Sequence, residues 1–418
     1  MPIVAGVDSS TQSVKVALRD ADSGELVAST SRPHPDGSEV NPQHWWKALS
    51  EALDELSSHK ISAISIAGQQ HGMIALDKDG TVIRDALLWN DTRSDKAAED
   101  LNREIPDIAL RTGSQLVASF TASKVRWLVD SEKANANRVA AIALPHDWLS
   151  WKLSGAKSIE TLFTDRSDAS GTGYFDSRKN EYCLDILATA IRTNQEIILP
   201  KIIAPNQFGA TSTNSIPIAA GAGDNAGAAL GLGASLGDLV ISLGTSGTAF
   251  AISKSSTHDS SGEVAGFADA TGNFLPLACT LNAAKIFNTV AKSLSLSFEE
   301  FSSLALSAKV GAEGLRIIPH FDGERTPNKP SAKGSFYGIT HSNFTRENIA
   351  RASIEGVIAG IIYAARAVER QGVSYSRILL IGGAAKNSAV QQIAADLFGR
   401  TIHIPPIGEY VADGAAKQ

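Results

Sequence analysis

The sequence predicts an α/β protein of two domains, on three observations. Its 418 residues exceed what one hydrophobic core usually supports, and 43% hydrophobic residues suffice for two. Short strand-like runs alternate with stretches of helical periodicity. One unit, an apolar strand, a tight turn of small and hydroxyl residues and a second apolar strand, occurs twice, at 4–18 and at 240–250. Such a turn offers backbone N–H groups and short hydroxyls with no bulky side chain in the way, which suits an anionic phosphate. Two of them suggest a phosphate chain gripped from both sides; each alone reads equally well as an ordinary Gly/Ser hairpin.

In chain order, strands are expected at 3–7, 14–18, 61–66, 73–76, 139–143, 216–220, 240–243, 248–252, 315–318 and 378–381. A helix starting near Pro42 carries Trp45, Leu49, Leu53 and Leu56 on one face, with Trp46 at its edge, and those side chains read as core. A long helix over 346–371 sets Ile349, Ser353, Gly356, Gly360, Tyr363 and Ala367 along one stripe, where small residues let another backbone come close. A third helix follows Gly382-Gly383, turns Val390, Ile393, Ala394 and Leu397 inward and stops at Gly399. Its strand, glycine turn and helix favour a phosphate or a flat base, a weak signal by itself. The repeated hairpins place a boundary near Ile216, giving domains 1–215 and 216–418, and their short, structured junction suits a hinge between closing domains.

Composition excludes several classes of function. The net charge is −6 with no long Lys/Arg cluster, so neither a nucleic acid nor an anionic membrane is an expected partner. The opening Met1-Pro2-Ile3-Val4 lacks a basic region and enters a strand at once, which points to no signal peptide and to the cytoplasm. The most apolar window, 216–243, is interrupted by Asp224, Asn225, Asp238 and repeated glycines, which disfavours a membrane span. Cys183 and Cys279 stand far apart without metal-ligand spacing and read as buried small hydrophobes.

Moving a phosphoryl group from a nucleotide to an alcohol needs a phosphate cradle, a divalent ion and a carboxylate that takes the hydroxyl proton. Asp224, between Gly223 and Gly227 after the 216–220 strand, suits the carboxylate, or else caps the following helix. Asp8 sits in the first turn, where it repels phosphate unless a cation lies between; magnesium held largely through waters resolves the conflict, and a carboxylate stabilising its own turn is the alternative. Gln70 and His71, between Gly68 and Gly72, and Trp89, before Asn90 and Asp91, make a hydrogen-bonding and stacking surface suited to a polyol. A lone His71 reads as structural, and Asp91 equally well as the cap of a helix starting at Thr92.

Asp8-Ser9-Ser10-Thr11-Gln12-Ser13, Leu243-Gly244-Thr245-Ser246-Gly247, the run from Ser119 to Leu128, and Gly334-Ser335-Phe336-Tyr337-Gly338 leading into Arg351-Ala352-Ser353-Ile354-Glu355-Gly356 together resemble the FGGY family of carbohydrate kinases, over nearly the whole chain. The resemblance implies two actin-like (ribonuclease H-like) ATPase domains with an interdomain cleft. Within the family the likeness is greatest to members that phosphorylate pentuloses. It rests on Gly68-Gln69-Gln70-His71-Gly72, the 88–93, 144–149 and 164–172 runs, Gly223-Asp224-Asn225 and Gly323-Glu324-Arg325-Thr326-Pro327. It implies an enzyme using ATP and Mg2+ on a small-molecule sugar, D-xylulose first; another ketose or polyol, or a sugar sensor without catalysis, are the alternatives.

By this resemblance Asp224 is the general base and Asp8 organises magnesium and the phosphates. Gln70, His71, Asp224 and Asn225 hold the sugar, with Trp89 as a wall. Thr11, Gln12, Ser13, Lys15 and Thr245 line the phosphates, and Gly382, Gly383 and Asn387 border the adenosine. A homodimer is expected by analogy. The sequence departs from the pattern twice: pentulose-specific members typically carry Met where Gln70 stands, and the family pattern continues for several tens of residues through a closing helix beyond the position of Gln418. Glycerol-specific members carry Arg-Glu in place of Gln70-His71, which argues against glycerol.

Overall fold

In Ser13–Asp20 the apolar Val14, Val16 and Leu18 fall on one face and are buried, the period of a strand with one side against a core. It pairs antiparallel with Ile3–Ser9 in unbroken register from Ile3↔Asp20 to Ser9↔Val14, closing the first predicted hairpin. Asp238–Leu243 and Gly247–Ala251 close the second in the same way, from Leu239↔Ala251 to Leu243↔Gly247. The likeness extends one strand further. Ile3–Ser9 runs parallel to Ile61–Gly68, and Asp238–Leu243 runs parallel to Arg377–Ile381.

The computed structural model describes residues 2–193 and 195–418. The chain forms two units by its contacts: one takes the chain up to Ala234 with Gly266–Phe274 and Ile407–Gln418, the other Ser235–Ala265 and Leu275–Pro406. The first is built on a seven-stranded sheet in the order Phe208–Thr211, Pro217–Ala219, Ile61–Gly68, Ile3–Ser9, Ser13–Asp20, Leu26–Pro33, with Ala222–Gly223 also on Ile61–Gly68. Its core gathers Val7, Val16, Leu18, Ile64 and Ile66 with Trp45, Leu49 and Trp148. The second is built on a sheet in the order Ala265–Ala268, Phe274–Thr280, Gly247–Ala251, Asp238–Leu243, Arg377–Ile381, Ile402–His403, with Ile241, Leu243, Phe287, Ile354, Ile361 and Leu380 in its core.

The units divide between Ala234 and Ser235, some way beyond the expected 215/216. Ile218 pairs with Ile64, and Ala222–Gly223 with Ala67–Gly68, so the segment before the second hairpin completes the earlier sheet and keeps Asp224 in the first unit. Ile407–Gln418 also belongs to the first unit. Expected strands missed Leu26–Pro33, Phe208–Thr211, Ala265–Ala268 and Phe274–Thr280.

Helix Pro42–Glu55 starts where Asn41 accepts the Gln43 N–H, and buries Trp45, Ala48, Leu49 and Ala52. Helix Arg346–Arg370 starts on Thr345 and buries Ala350, Ile354, Val357, Ile361, Ala364 and Val368. The expected small-residue stripe holds only in part: Gly356 lies against Ile317, whereas Gly360 faces open space and Tyr363 is exposed, because the larger aliphatic residues set the buried face. The third helix, Ser388–Phe398, begins after the short turn Gly383–Lys386 and ends on left-handed Gly399. Among the described residues no helix is long and apolar enough to cross a membrane.

Helix Tyr410–Lys417 lies on Ile3–Ser9 and on helix Asp224–Leu232 at backbone distance. A Cβ on Gly6 would run into the Ala412 carbonyl, one on Gly231 into the Tyr410 carbonyl, and one on Gly414 into the Gly227 carbonyl. Arg19 ties this helix down through Asp413, at 2.9 Å from Nε, and Lys15 pairs with Glu409 at 2.6 Å. Gly414→Ala is expected to destabilise the protein by roughly 1–3 kcal/mol or more, since backbone rather than a side chain must move; urea unfolding of the variant measures it.

Candidate active site

Three strands of the first sheet end side by side. Ser9 is level with Gly68 on the neighbouring strand, and Gly68 with Gly223 on the next, all running parallel. The segment after each strand is therefore delivered to the same rim: the Ser10–Gln12 turn, Gln69-Gln70-His71, and Asp224-Asn225. The carboxyl ends of parallel strands are where α/β sheets receive ligands, because the chain there turns away and leaves backbone groups exposed.

Asp8 is buried at the end of its strand, and its Oδ1 has no hydrogen-bond partner among the described residues. Burial, with the negative charge of Asp224 as a second cause, pushes its carboxyl up to about 7 against the pull of Lys15. An orphaned, buried carboxylate oxygen within electrostatic reach of a second carboxylate fits a hydrated divalent cation. Asp224 is the first residue of helix Asp224–Leu232, so the capping alternative does not hold: Gly223 is the N-cap and makes no side-chain bond. Burial raises the Asp224 carboxyl to about 6, while Asn225 opposes it by donating its backbone N–H (2.7 Å) and Nδ2 (2.9 Å) to Oδ1.

His71 has a backbone φ of +70°, unusual for a side chain of its size, and neighbouring side chains hold it there. Its carbonyl accepts from Thr121 Oγ1 at 3.1 Å and Lys124 Nζ at 3.3 Å. Its Nδ1 donates to the Gly171 carbonyl at 2.6 Å. Phe120 and Phe267 pack against the ring at 4.8 and 5.5 Å between centroids. Lys124 is buried and donates to the His71 and Ser119 carbonyls, and desolvation lowers its ammonium to about 7 although Asp91 opposes this. Gln70 is buried, with Nε2 donating to the Ser167 carbonyl at 3.1 Å.

Trp89 Nε1 donates to Thr11 Oγ1 at 2.8 Å, which joins the expected sugar wall to the first turn. Gln12 is exposed and Ser13 starts the second strand, its carbonyl accepting from Ser10 N. Lys15 lies opposite Asp8 in the register, its ammonium taken by Glu409. Asp91 does not cap a helix at Thr92; Ser38 and Arg93 hold it, and the helix starts at Asp95.

In the second unit the same geometry recurs with other residues. Ser242 is level with Ile381, so the Gly244–Ser246 turn and the Gly382-Gly383 turn leave neighbouring strand ends. Gly382 has φ +96° and lies against Leu243, where a Cβ would collide with backbone, whereas nothing stands near Gly383. Thr245 is exposed, and the Gly244 carbonyl accepts from Ala284 N at 3.0 Å. Asn387 caps helix Ser388–Phe398, its Oδ1 accepting from Ala389 and Val390 and its Nδ2 donating to Ser302 at 2.5 Å.

The expectation assigned no role to residues 164–172, which lie buried under the rim. Asp165 caps their short helix, Ser167 Oγ accepts the Gly223 N–H at 3.0 Å, and Ser170 Oγ accepts the Ala268 N–H at 3.0 Å. Asp168 receives His146 Nδ1 at 2.5 Å. Desolvation disfavours the charged ring of His146, but Asp147 and Asp168 outweigh it and raise the imidazole to about 10. A run of five polar residues, Thr164 to Asp168, is the only local sign of this platform, and such a run usually reads as surface.

A model of the FGGY family of carbohydrate kinases, N-terminal domain, matches residues 3–231, and one of the C-terminal domain matches residues 239–418. A xylulose kinase of Streptomyces coelicolor is 41% identical over 435 residues, covering 100% of this chain and 87% of the relative. One of Streptomyces rubiginosus is 40% identical with the same coverage. The crystal structure of xylulose kinase from Bifidobacterium adolescentis superposes with a TM-score of 0.93 at 42% identity, over 99% of this chain and 91% of that one.

Proposed function

Because this chain belongs to the FGGY family of carbohydrate kinases, with the actin-like ATPase fold, we propose that it phosphorylates D-xylulose with ATP to give D-xylulose 5-phosphate and ADP. One observation carries the reading on the structural side. A desolvated carboxylate, Asp224, stands at the same strand-end rim as Asp8 and the Gln70-His71 turn. The relatives named xylulose kinase support the choice of sugar.

In the reaction the terminal hydroxyl oxygen bonds to the γ-phosphorus, the bond from γ-phosphorus to the bridging oxygen breaks, and Asp224 takes the hydroxyl proton. By the family resemblance His71 helps hold the sugar, Asn225 fixes the Asp224 carboxylate, and Trp89 offers its indole face as a wall. In the first unit the Thr11–Ser13 turn, with Lys15 beside it, offers backbone and hydroxyl donors suited to phosphate; in the second unit Thr245 and the Gly382-Gly383 turn offer the like, and Asn387, which holds the adjoining helix start, suits the border of a base. Asp8 would hold magnesium, which when bound would spread the phosphate charge. A cytoplasmic homodimer belongs to the same proposal, on family analogy.

Coupled ADP detection over a panel of D-xylulose, D-ribulose, D-fructose, xylitol and glycerol tests this. D-xylulose is expected to give the highest kcat/KM, at least about tenfold above the next, since a site built to pair hydroxyls rejects those that leave its polar groups unpaired. Preference for another member reassigns the substrate. Absence of any sugar-dependent ADP favours a sensor.

A further inference from the structure

Gln70 is joined to the residue before Asp224 from two sides. Its Nε2 donates to the Ser167 carbonyl at 3.1 Å, and the hydroxyl of the same Ser167 accepts the Gly223 N–H at 3.0 Å. Its side chain also covers the Cα of Gly223 so closely that a Cβ there would lie 2.7 Å from Gln70 Cγ and Nε2. Gly223 is the N-cap of helix Asp224–Leu232 and has no side chain to fix the helix start, so these neighbours set where Asp224 emerges. All three residues of the knot are buried.

We propose that the Gln70 side chain is a positioning group for Asp224, acting through Ser167 and Gly223. The inference rests on the kinase reading above. A base works only within hydrogen-bond reach of the proton it takes, and misplacement by about 1 Å can cost on the order of 10²-fold in rate. The amide nitrogen of Gln70 donates to Ser167, and Ser167 holds Gly223, which gives the side chain a path through the protein to the base.

Gln70→Met keeps the length of the side chain and removes its amide. The Ser167 carbonyl keeps the Ser170 hydroxyl at 2.6 Å, so no buried acceptor is orphaned and the variant folds. In steady-state assays with D-xylulose, kcat is expected to fall about fivefold or more with KM within about threefold of wild type. Gln70→Glu, which sets a carboxylate against the Ser167 carbonyl, falls further. Combining Gln70→Met with Ser167→Ala adds little to the worse single variant, because both act on one path.

A KM rise beyond threefold, an unchanged kcat, or a Gln70→Glu variant as active as wild type overturns the proposal. Absence of sugar-dependent ADP release by the wild type would sink the kinase reading instead. The positioning claim is then decided by amide hydrogen exchange over residues 223–232, which Gln70→Met accelerates at least about tenfold if the knot holds this helix start and leaves unchanged if it does not.

Discussion

Asp224→Ala is expected to lower kcat by about 10²-fold or more while leaving the Kd for ATP within about twofold. The carboxylate is the first residue of its helix, fixed by Asn225, and alanine is tolerated there, so the loss reads the chemistry and not unfolding. The pH profile gives a second test. Burial holds the carboxyl near 6, and a base works only when deprotonated, so the wild-type rate falls as pH drops through about 6. The residual rate of Asp224→Ala lacks that limb. Turnover undiminished in the variant removes Asp224 as the base.

Asp8→Asn is expected to cost about 10²–10³-fold in kcat/KM, from several kcal/mol of charge stabilisation at roughly 1.4 kcal/mol per tenfold. Asparagine keeps the shape and loses the charge proposed to hold the ion, so added magnesium is expected to rescue the variant poorly. The same substitution is expected to stabilise the metal-free, nucleotide-free protein. The Asp8 carboxyl is raised to about 7 in the folded chain, so its contribution to stability is fully present at low pH, below its unfolded value, and is lost as pH rises through 7. An asparagine loses nothing over that window. Thermal unfolding is expected to show Asp8→Asn above wild type at pH 8, with the gap closing toward pH 4. Equal stability at pH 8 contradicts the desolvated, cation-seeking character assigned to Asp8.

Features carried by local chemistry were legible in the sequence. Val14, Val16 and Leu18 alternate with polar residues and announce a strand, whereas Leu26–Pro33 is mostly exposed, at the sheet edge, and shows no such pattern. Asp8, Gln70, His71 and Asp224 stood out because polar residues beside glycines at strand ends suggest ligand access. Ser167, Phe120 and Phe267 did not, since each matters only through a partner remote in sequence. The division of units was misplaced for the same reason: hairpin patterning shows where a sheet starts, but the pairing of Ile218 with Ile64 is a long-range choice that no local period encodes.

Lys15 and Glu409 stand 394 residues apart in sequence and 2.6 Å apart in space, which sets an order of events during synthesis. The strand that carries Asp8 leaves the ribosome well before helix Tyr410–Lys417, yet Gly6 meets its packing partner only when that helix has been made. All of the other unit is translated in between. That unit can therefore be folded while the earlier one still waits with one face of its sheet uncovered, a state prone to aggregation. Chaperone dependence and the yield of refolding are accordingly expected to track the fate of this early-made, late-completed unit.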